Sequence, residues 1–204
     1  EAEHDGELKH ILNNALLTTP DGMPMVWMGR LEGKSRMRRV YGPDLMLNLC
    51  DHGRAENFSH FLYGGAEGAA DELASNLRKR FPGLRIVGTY TPPFRPLLPN
   101  ELAELQAQVQ AARPDFFWVG LSTPKQEKFM SQYLSLLPDA TIMLGVGAAF
   151  DLLSGRVKQA PRWMQRSGLE WFYRWTQEPR RLTRRYFVNN PRFILAAVRQ
   201  LMRS

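Results

Sequence analysis

Residues 58–88 read FSHFLYGGAEGAADELASNLRKRFPGLRIVG. A short apolar run over 58–63 gives way to Gly64-Gly65, then to a helical pattern over 66–81. Pro82-Gly83 closes that helix, and a second apolar run covers 84–88. Strand, glycine turn, helix, turn and strand in this order form one unit of a parallel sheet, because the helix carries the chain back alongside it. Outward from this unit the rhythm repeats. A proline-rich loop, TPPFRPLLP at 91–99, leads to a helix over about 100–112, and DFFWVGL at 115–121 reads as a buried strand. A helix over 124–136 and a strand over 141–146 follow. The fold class is therefore α/β, a Rossmann-like parallel sheet flanked by helices.

The two ends differ from this middle. Residues 6–14 are expected to be helical and 15–18 to form a strand leading into Pro20-Asp21-Gly22. Gly42-Pro43 opens a helix over 43–51, since proline is pre-organised for a first helical turn. Beyond Asp151 the pattern predicts helices alone, over 161–176, 179–189 and 191–203. The first carries Trp163, Leu169, Trp171, Phe172 and Trp175. The second carries Arg180, Arg181, Arg184 and Arg185. The third sets Phe193, Ile194, Leu195, Val198 and Leu201 broadly opposite Arg192 and Arg199. The domain reading is a core over 1–151 and a basic, aromatic-rich helical appendage over 152–204.

A chain of 204 residues, 44% hydrophobic and 23% charged, has the composition of a folded domain with an ordinary core, which excludes global disorder. No apolar run is long enough for a helix to span a bilayer. The opening EAEHDGELKH lacks the basic-then-apolar pattern of a secretion signal. A lone cysteine, Cys50, excludes an internal disulfide framework and a multi-cysteine zinc site. The net charge of +7 is unevenly spread. From Leu152 onward twelve Lys and Arg face two acids, whereas the rest of the chain is slightly acidic. Such a split points to an anionic partner for the basic segment: phosphate, nucleic acid or a membrane surface.

Several catalytic signatures are missing. The eight aspartates contain no D-x-D, the four histidines show no metal-ligand spacing, and no G-x-S-x-G occurs. GRLEGKS at 29–35 is one residue short of a phosphate-binding P-loop and follows no buried strand, so it reads as a solvated basic loop. Four segments remain as candidates at ligand-facing positions. In Thr19-Pro20-Asp21-Gly22 the carboxylate of Asp21 suits a general base, or else a cap for the next helix. In Arg38-Arg39-Val40-Tyr41-Gly42-Pro43, Arg39 stands just ahead of a helix start and suits a phosphate, or else plain solvent. Gly120-Leu-Ser-Thr-Pro124-Lys125-Gln126-Glu127 gathers hydroxyls, Lys125 and Gln126 at a helix start, where capping explains part of the pattern. Gly145-Val-Gly147-Ala-Ala-Phe150-Asp151 combines small residues with a carboxylate, which suits close approach of a ligand or tight helix–strand packing.

Taken in order, these segments resemble the WecG/TagA/CpsF family of bacterial glycosyltransferases (glycosyltransferase family 26). The matching stretches are TPDG at 19–22, RRVYGPDL at 38–45, FLYGG at 61–65, FPGLRIVGTYTPPF at 81–94 and VGLSTPKQEKF at 119–129. The longest is GVGAAFDLLSGRVKQAPRWMQRSGLEWFYRWTQEPRRLTRRY at 145–186. The resemblance runs from about Asp5 to Tyr186. Family chains begin earlier, with a strand–helix unit bearing a Thr-Pro-Asn-type motif, so the core is expected to be shortened at its N-terminus. Gly120-Leu-Ser-Thr-Pro also stands where Gly-Leu-Gly-x-Pro is usual, adding a hydroxyl and a Cβ near the ligand.

The resemblance implies an inverting enzyme without cofactor or obligatory metal. Its donor is a UDP-sugar of N-acetylmannosamine, N-acetylmannosaminuronic acid or glucose type. Its acceptor is a saccharide on undecaprenyl diphosphate, in the synthesis of bacterial cell-surface polysaccharide. The expected location is cytoplasmic, peripheral on the inner face of the plasma membrane. The catalytic set it implies is Asp21 as base, Arg39 facing the leaving diphosphate, and Gln126 orienting a hydroxyl. Donor binding is implied for Gly64, Gly145, Gly147, Asp151 and Lys125, and for Arg174, Arg181 and Arg184 of the appendage. Trp171, Trp175, Arg185, Phe193 and Arg199 are implied at the lipid surface. The partners expected are the UDP-sugar, the lipid-linked acceptor and an anionic membrane, not nucleic acid. Two competing readings are a catalytically inactive interaction module of a polysaccharide assembly complex and a nucleic-acid-binding domain with an arginine-rich tail.

Overall fold

The structure, a computed structural model, describes residues 5–202. The side chains of Arg181, Arg184 and Arg185, and Arg203 as a whole, lie outside the described residues. The elements in chain order are α1 (Gly6–Asn14), α2 (Met23–Leu31), α3 (Gly42–His52), β1 (Ser59–Gly64), α4 (Ala69–Arg80), β2 (Arg85–Tyr90), α5 (Pro99–Ala112), β3 (Phe116–Gly120), α6 (Lys125–Tyr133), β4 (Ile142–Gly145), α7 (Ala149–Ser154), α8 (Arg162–Arg166), α9 (Glu170–Gln177) and α10 (Pro179–Leu201). They fall into two compact units. One holds residues 5–16 and 42–158, and the other holds 17–41 and 159–202.

The first unit is built on a four-stranded sheet of order β2-β1-β3-β4, every pair parallel. Strand side chains alternate between faces. Leu62 and Trp118 lie in a core with Met46 and Cys50 of α3, Leu73 and Leu77 of α4, and Phe150 of α7. Phe61, Tyr63, Phe117 and Val119 lie in a second core with Leu105 and Val109 of α5 and Phe129 of α6. Both faces are covered, which is why β1 and β3 read as nearly continuous apolar runs. At its amino end β1 is pinned to β3 through Asp115, whose Oδ2 accepts from the Ser59 backbone N–H and hydroxyl, each at 2.7 Å. Those two bonds hold the Asp115 carboxyl below its ordinary range.

His60 is fully buried beside Trp118, and its Nδ1 accepts from the indole Nε1–H at 3.0 Å. That bond places the imidazole proton on Nε2, which is buried without a partner. Burial lowers its pKa to about 4, and Asp115 opposes the shift only in part. Burial likewise pushes the Cys50 thiol up to about 12, so this cysteine packs as a small apolar side chain. On α1, the Asp5 side chain caps the helix by accepting from Leu8 N–H, and Lys128 of α6 pairs with Asp5 and Glu7 at 3.0 and 2.6 Å.

The structure differs from the sequence reading at four places. Residues 15–18 form no strand, and exposed Leu16 and Leu17 find no sheet partner there. Helix α2 occupies the stretch before the basic loop, and Gly29 sits buried within it, where a Cβ would overlap Met37. The helix expected over 161–176 is divided into α8 and α9 at Gly168, whose φ of 73° no right-handed helix accommodates. Conversely, 179–189 and 191–203 join into the single helix α10, which continues through Pro191. Pro191 is exposed, so the carbonyl one turn earlier that loses its amide donor can bond water.

Candidate functional site

The order β2-β1-β3-β4 means that the chain leaves β1 toward one edge and later crosses back to place β3 on its other side. Connections from β1 and β3 therefore depart on opposite faces, which makes their carboxyl ends the topological switch point, where open α/β sheets bind ligands. Gly64 and Gly120 end those strands and are register partners. Gly64 has φ 126°, and a Cβ there would run into the Gly120 backbone, so glycine is required by conformation and by space. The Gly65 N–H closes the contact by donating to the Gly120 carbonyl at 2.9 Å.

Beside these glycines the start of α6 meets the loop after β4. Gln126 is buried, and its Oε1 accepts from the Gly147 N–H at 2.8 Å. A Cβ at Gly145 would overlap the Gln126 carboxamide, so the small residues of GVGAAFD make room for this side chain. Glu127 Oε1 accepts from the Thr123 hydroxyl at 3.0 Å and lies 3.4 Å from Gln126 Nε2. Its Oε2 is buried without a hydrogen-bond partner. Lys125 is exposed. Asp151 is half-buried in the first turn of α7, and its carboxylate makes no hydrogen bond or ion pair among the described residues.

The unit of 17–41 and 159–202 carries a second cluster. Arg39 is its hub. Its Nε–H donates to the Asp21 backbone carbonyl, and its Nη2 lies 2.5 Å from Glu170 Oε2 and 3.7 Å from Asp21 Oδ1. The guanidinium also stacks 4.1 Å above the Tyr41 ring. The Tyr41 hydroxyl is buried without a hydrogen-bond partner. Burial and the nearby Glu170 carboxylate raise its pKa well above the ordinary phenol value, so it remains protonated. The Val40 N–H donates to the Pro20 carbonyl at 3.0 Å, which brackets the Asp21 turn against the arginine segment. One helical turn beyond Glu170, Arg174 keeps its Nε buried with no hydrogen-bond partner.

On α9 and α10 the aromatic residues form one cluster. Trp171 meets Phe172 and Tyr186 edge to face, and Trp175 packs with Phe172 and Phe187. Trp175 Nε1–H donates to the Thr183 hydroxyl at 2.8 Å. Further along α10, Phe193, Ile194, Leu195, Val198 and Arg199 are exposed. No helix among the described residues is long and apolar enough to cross a membrane, and no three His, Cys, Asp or Glu side chains among them gather at metal-binding distance.

The sequence candidates thus divide into Gly64, Lys125, Gln126, Gly145, Gly147 and Asp151 on the sheet unit, and Asp21, Arg39 and Arg174 on the other. Three participants carry no motif signal of their own. Glu170 stands 131 positions from Arg39, and no spacing rule links them. Tyr41 and Glu127 sit inside the RRVYGP and PKQE stretches, where no local pattern marks their burial.

The sequence model of the Glycosyl transferase WecG/TagA/CpsF family matches residues 1–204. An N-acetylglucosaminyldiphosphoundecaprenol N-acetyl-beta-D-mannosaminyltransferase of Bacillus spizizenii is 32% identical over 199 residues, covering 98% of this chain and 74% of that protein. The Bacillus subtilis protein of the same name is 31% identical over 196 residues, covering 96% of this chain and 73% of its own length.

Proposed function

This chain belongs to the WecG/TagA/CpsF family of glycosyl transferases, and we propose that it moves a sugar from a UDP-linked donor to a saccharide carried on undecaprenyl diphosphate. The names of the two Bacillus relatives favour N-acetylmannosamine as the sugar and an N-acetylglucosamine-bearing lipid as the acceptor. An N-acetylmannosaminuronic acid or glucose donor fits the same reading. The reaction inverts the anomeric carbon: an acceptor hydroxyl attacks in line while UDP departs from the opposite face.

The observation that carries this reading is Arg39 bonded to the Asp21 turn and stacked on Tyr41, a cation fixed beside an exposed carboxylate. Asp21 takes the proton of the attacking hydroxyl, a role worth about 10²–10⁴-fold in rate. Charge on the departing diphosphate is met by guanidinium groups, Arg39 and Arg174 with Arg181 and Arg184, in place of a divalent ion. Gln126 orients a hydroxyl through its carboxamide, and Lys125 serves the donor phosphates. Gly64, Gly145 and Gly147 let the nucleotide lie close to backbone, and Asp151 accepts from the uracil ring. Residues 1–151 act as the catalytic core and 152–204 as the basic appendage. In the appendage Trp171, Trp175, Arg185, Phe193 and Arg199 engage an anionic membrane surface on the cytoplasmic side.

The test is a panel of UDP-sugars offered with polyprenyl-diphosphate-linked N-acetylglucosamine and read by mass spectrometry. One donor should yield a disaccharide lipid, with or without chelator, and Asp21→Asn should lower turnover by about 10²–10⁴-fold. No product with any donor would reject the reading, and loss of product on adding chelator would reject its metal-independent form.

A further inference from the structure

We propose that Glu170 is a positioning residue for this site: it draws the Arg39 guanidinium toward itself and so sets how much of that positive charge falls on the Asp21 carboxylate. The inference rests on the reading of Asp21 as the base. A single nitrogen, Arg39 Nη2, faces two carboxylates, Glu170 at 2.5 Å and Asp21 at 3.7 Å. The nearer one is enclosed, its side chain 14% exposed against 69% for Asp21, and the Arg39 side chain itself is 15% exposed. Attraction between charges strengthens as water is excluded, so the enclosed pair outcompetes the exposed one for the same N–H groups.

Geometry leaves Arg39 little freedom to choose otherwise. Nε–H is committed to the Asp21 backbone carbonyl, and one face of the guanidinium lies on Tyr41. What remains is rotation of the Nη2 edge between the two carboxylates. With Glu170 present, Arg39 steadies the turn through the backbone while its Nη2 edge is drawn away from Asp21 toward a different acid. A base gains from that division, because an uncompensated cation at hydrogen-bond distance would favour its charged form and weaken its grip on a proton. Among the charged and titratable groups at this junction are Arg39 and Tyr41 from the segment after the basic loop, and Glu170 from α9, with Arg174 one turn further along that helix. Glu170 touches no reacting atom in this role and acts on Asp21 through Arg39.

The experiment compares the full chain with Glu170→Gln, Glu170→Asp and Asp21→Asn, using UDP-N-acetylmannosamine and a short-chain polyprenyl-diphosphate N-acetylglucosamine across pH. Glu170→Gln keeps an acceptor for Arg39 but removes the negative charge. Its acid limb in kcat/KM should move to lower pH by about half a unit or more, with kcat down about tenfold. Glu170→Asp, which retains the charge, should keep the limb near its original position. An unmoved or raised limb in Glu170→Gln overturns the proposal, as does a Glu170→Asp limb that matches the Gln variant. If Glu170→Gln does not fold, Glu170→Asn takes its place, with the same expected shift and the same overturning result. Asp21→Asn separates the two readings: retained turnover defeats the base assignment, whereas lost turnover with an unmoved Glu170→Gln limb defeats only the positioning role.

Discussion

In the sheet unit, Phe61, Tyr63, Phe117 and Val119 close one face against α5 and α6, while Leu62 and Trp118 close the other against α3, α4 and α7. Its described ion pairs stay outside that core: Arg54 with Asp51, Arg95 with Glu101, Arg156 with Glu72, and Lys128 with Asp5 and Glu7. In the unit of 17–41 and 159–202 the arrangement is inverted. Val26, Tyr41, Ala160 and Leu182 are its buried apolar residues, whereas Trp163, Phe187, Ile194 and Leu195 are more than half exposed. Its central contact is the enclosed Arg39–Glu170 pair. An enclosed ion pair costs desolvation that a well-packed apolar pair avoids, so it is poor evidence for stability. Apolar burial holds the first unit together, and its charges are peripheral. In the second, charge is enclosed and apolar surface is left out, an allocation better suited to chemistry and docking than to cohesion.

The widest gap between the units should appear in truncation of apolar side chains. Leu73 is fully buried in α4, and Leu73→Ala should lower unfolding free energy by about 2–5 kcal/mol through lost transfer energy and a residual cavity. Ile194 on α10 is 59% exposed, and Ile194→Ala should change stability by no more than about 0.5 kcal/mol. Urea denaturation of both variants measures the contrast. Equal losses would mean that α10 is as deeply packed as the sheet, and the division drawn here would fall.

The same division explains what could be read from the sequence. Runs at 58–63, 84–88, 115–121 and 141–146 locate the four strands to within a residue or two, because β1 and β3, covered on both faces, leave unbroken apolar runs, and glycine and proline breaks bound the edge strands. Helix α2 escaped notice since Met23-Pro-Met-Val-Trp-Met-Gly lacks a clear polar face, and the near-P-loop that follows invites a loop reading. Pro191 looked like a boundary because proline removes an amide donor, yet an exposed helix face tolerates that loss. Among the candidates, Asp21, Arg39 and Gln126 stand in turns and helix starts that the motifs mark. Glu170 does not, because an ion pair between residues 131 positions apart leaves no local pattern. Side-chain partners across a fold are set by packing, and periodicity carries no record of them.

A smaller effect, confined to the sheet unit, tests the quality of its burial. His60 has its pKa lowered by desolvation from 6.5 to about 4, so the folded state holds it neutral where an unfolded chain would bind a proton. The unfolded state therefore takes up more protons between those values, and stability falls as pH drops from about 6.5 toward 4. The full loss is about 3 kcal/mol by linkage. His60→Gln, which can still accept from Trp118 Nε1, should flatten that part of the stability–pH curve, followed by urea melts at fixed pH steps. An unchanged slope in the variant would assign the acid sensitivity to other groups.

The smallest predicted effect lies on the outward side of α10 and asks whether its exposed residues are equipped for a surface. Phe193, Ile194, Leu195 and Val198 are exposed over the same stretch that carries Arg192 and Arg199, and the helix is too short of apolar length to cross a bilayer. In the membrane role proposed for it, such a helix would lie in the headgroup layer, where each basic residue contributes about 1 kcal/mol near an anionic leaflet. Replacing both arginines by alanine should therefore weaken binding to phosphatidylglycerol-containing vesicles by about 2 kcal/mol, roughly thirtyfold. Binding to neutral phosphatidylcholine vesicles should change little, and raised salt should shrink the difference because exposed charges are screened. The sheet unit's exposed arginines provide the control: Arg95→Ala, away from α10, should leave vesicle binding unchanged. If Arg95→Ala weakened binding as much as the α10 pair, net charge alone would account for attachment, and α10 would lose its special standing.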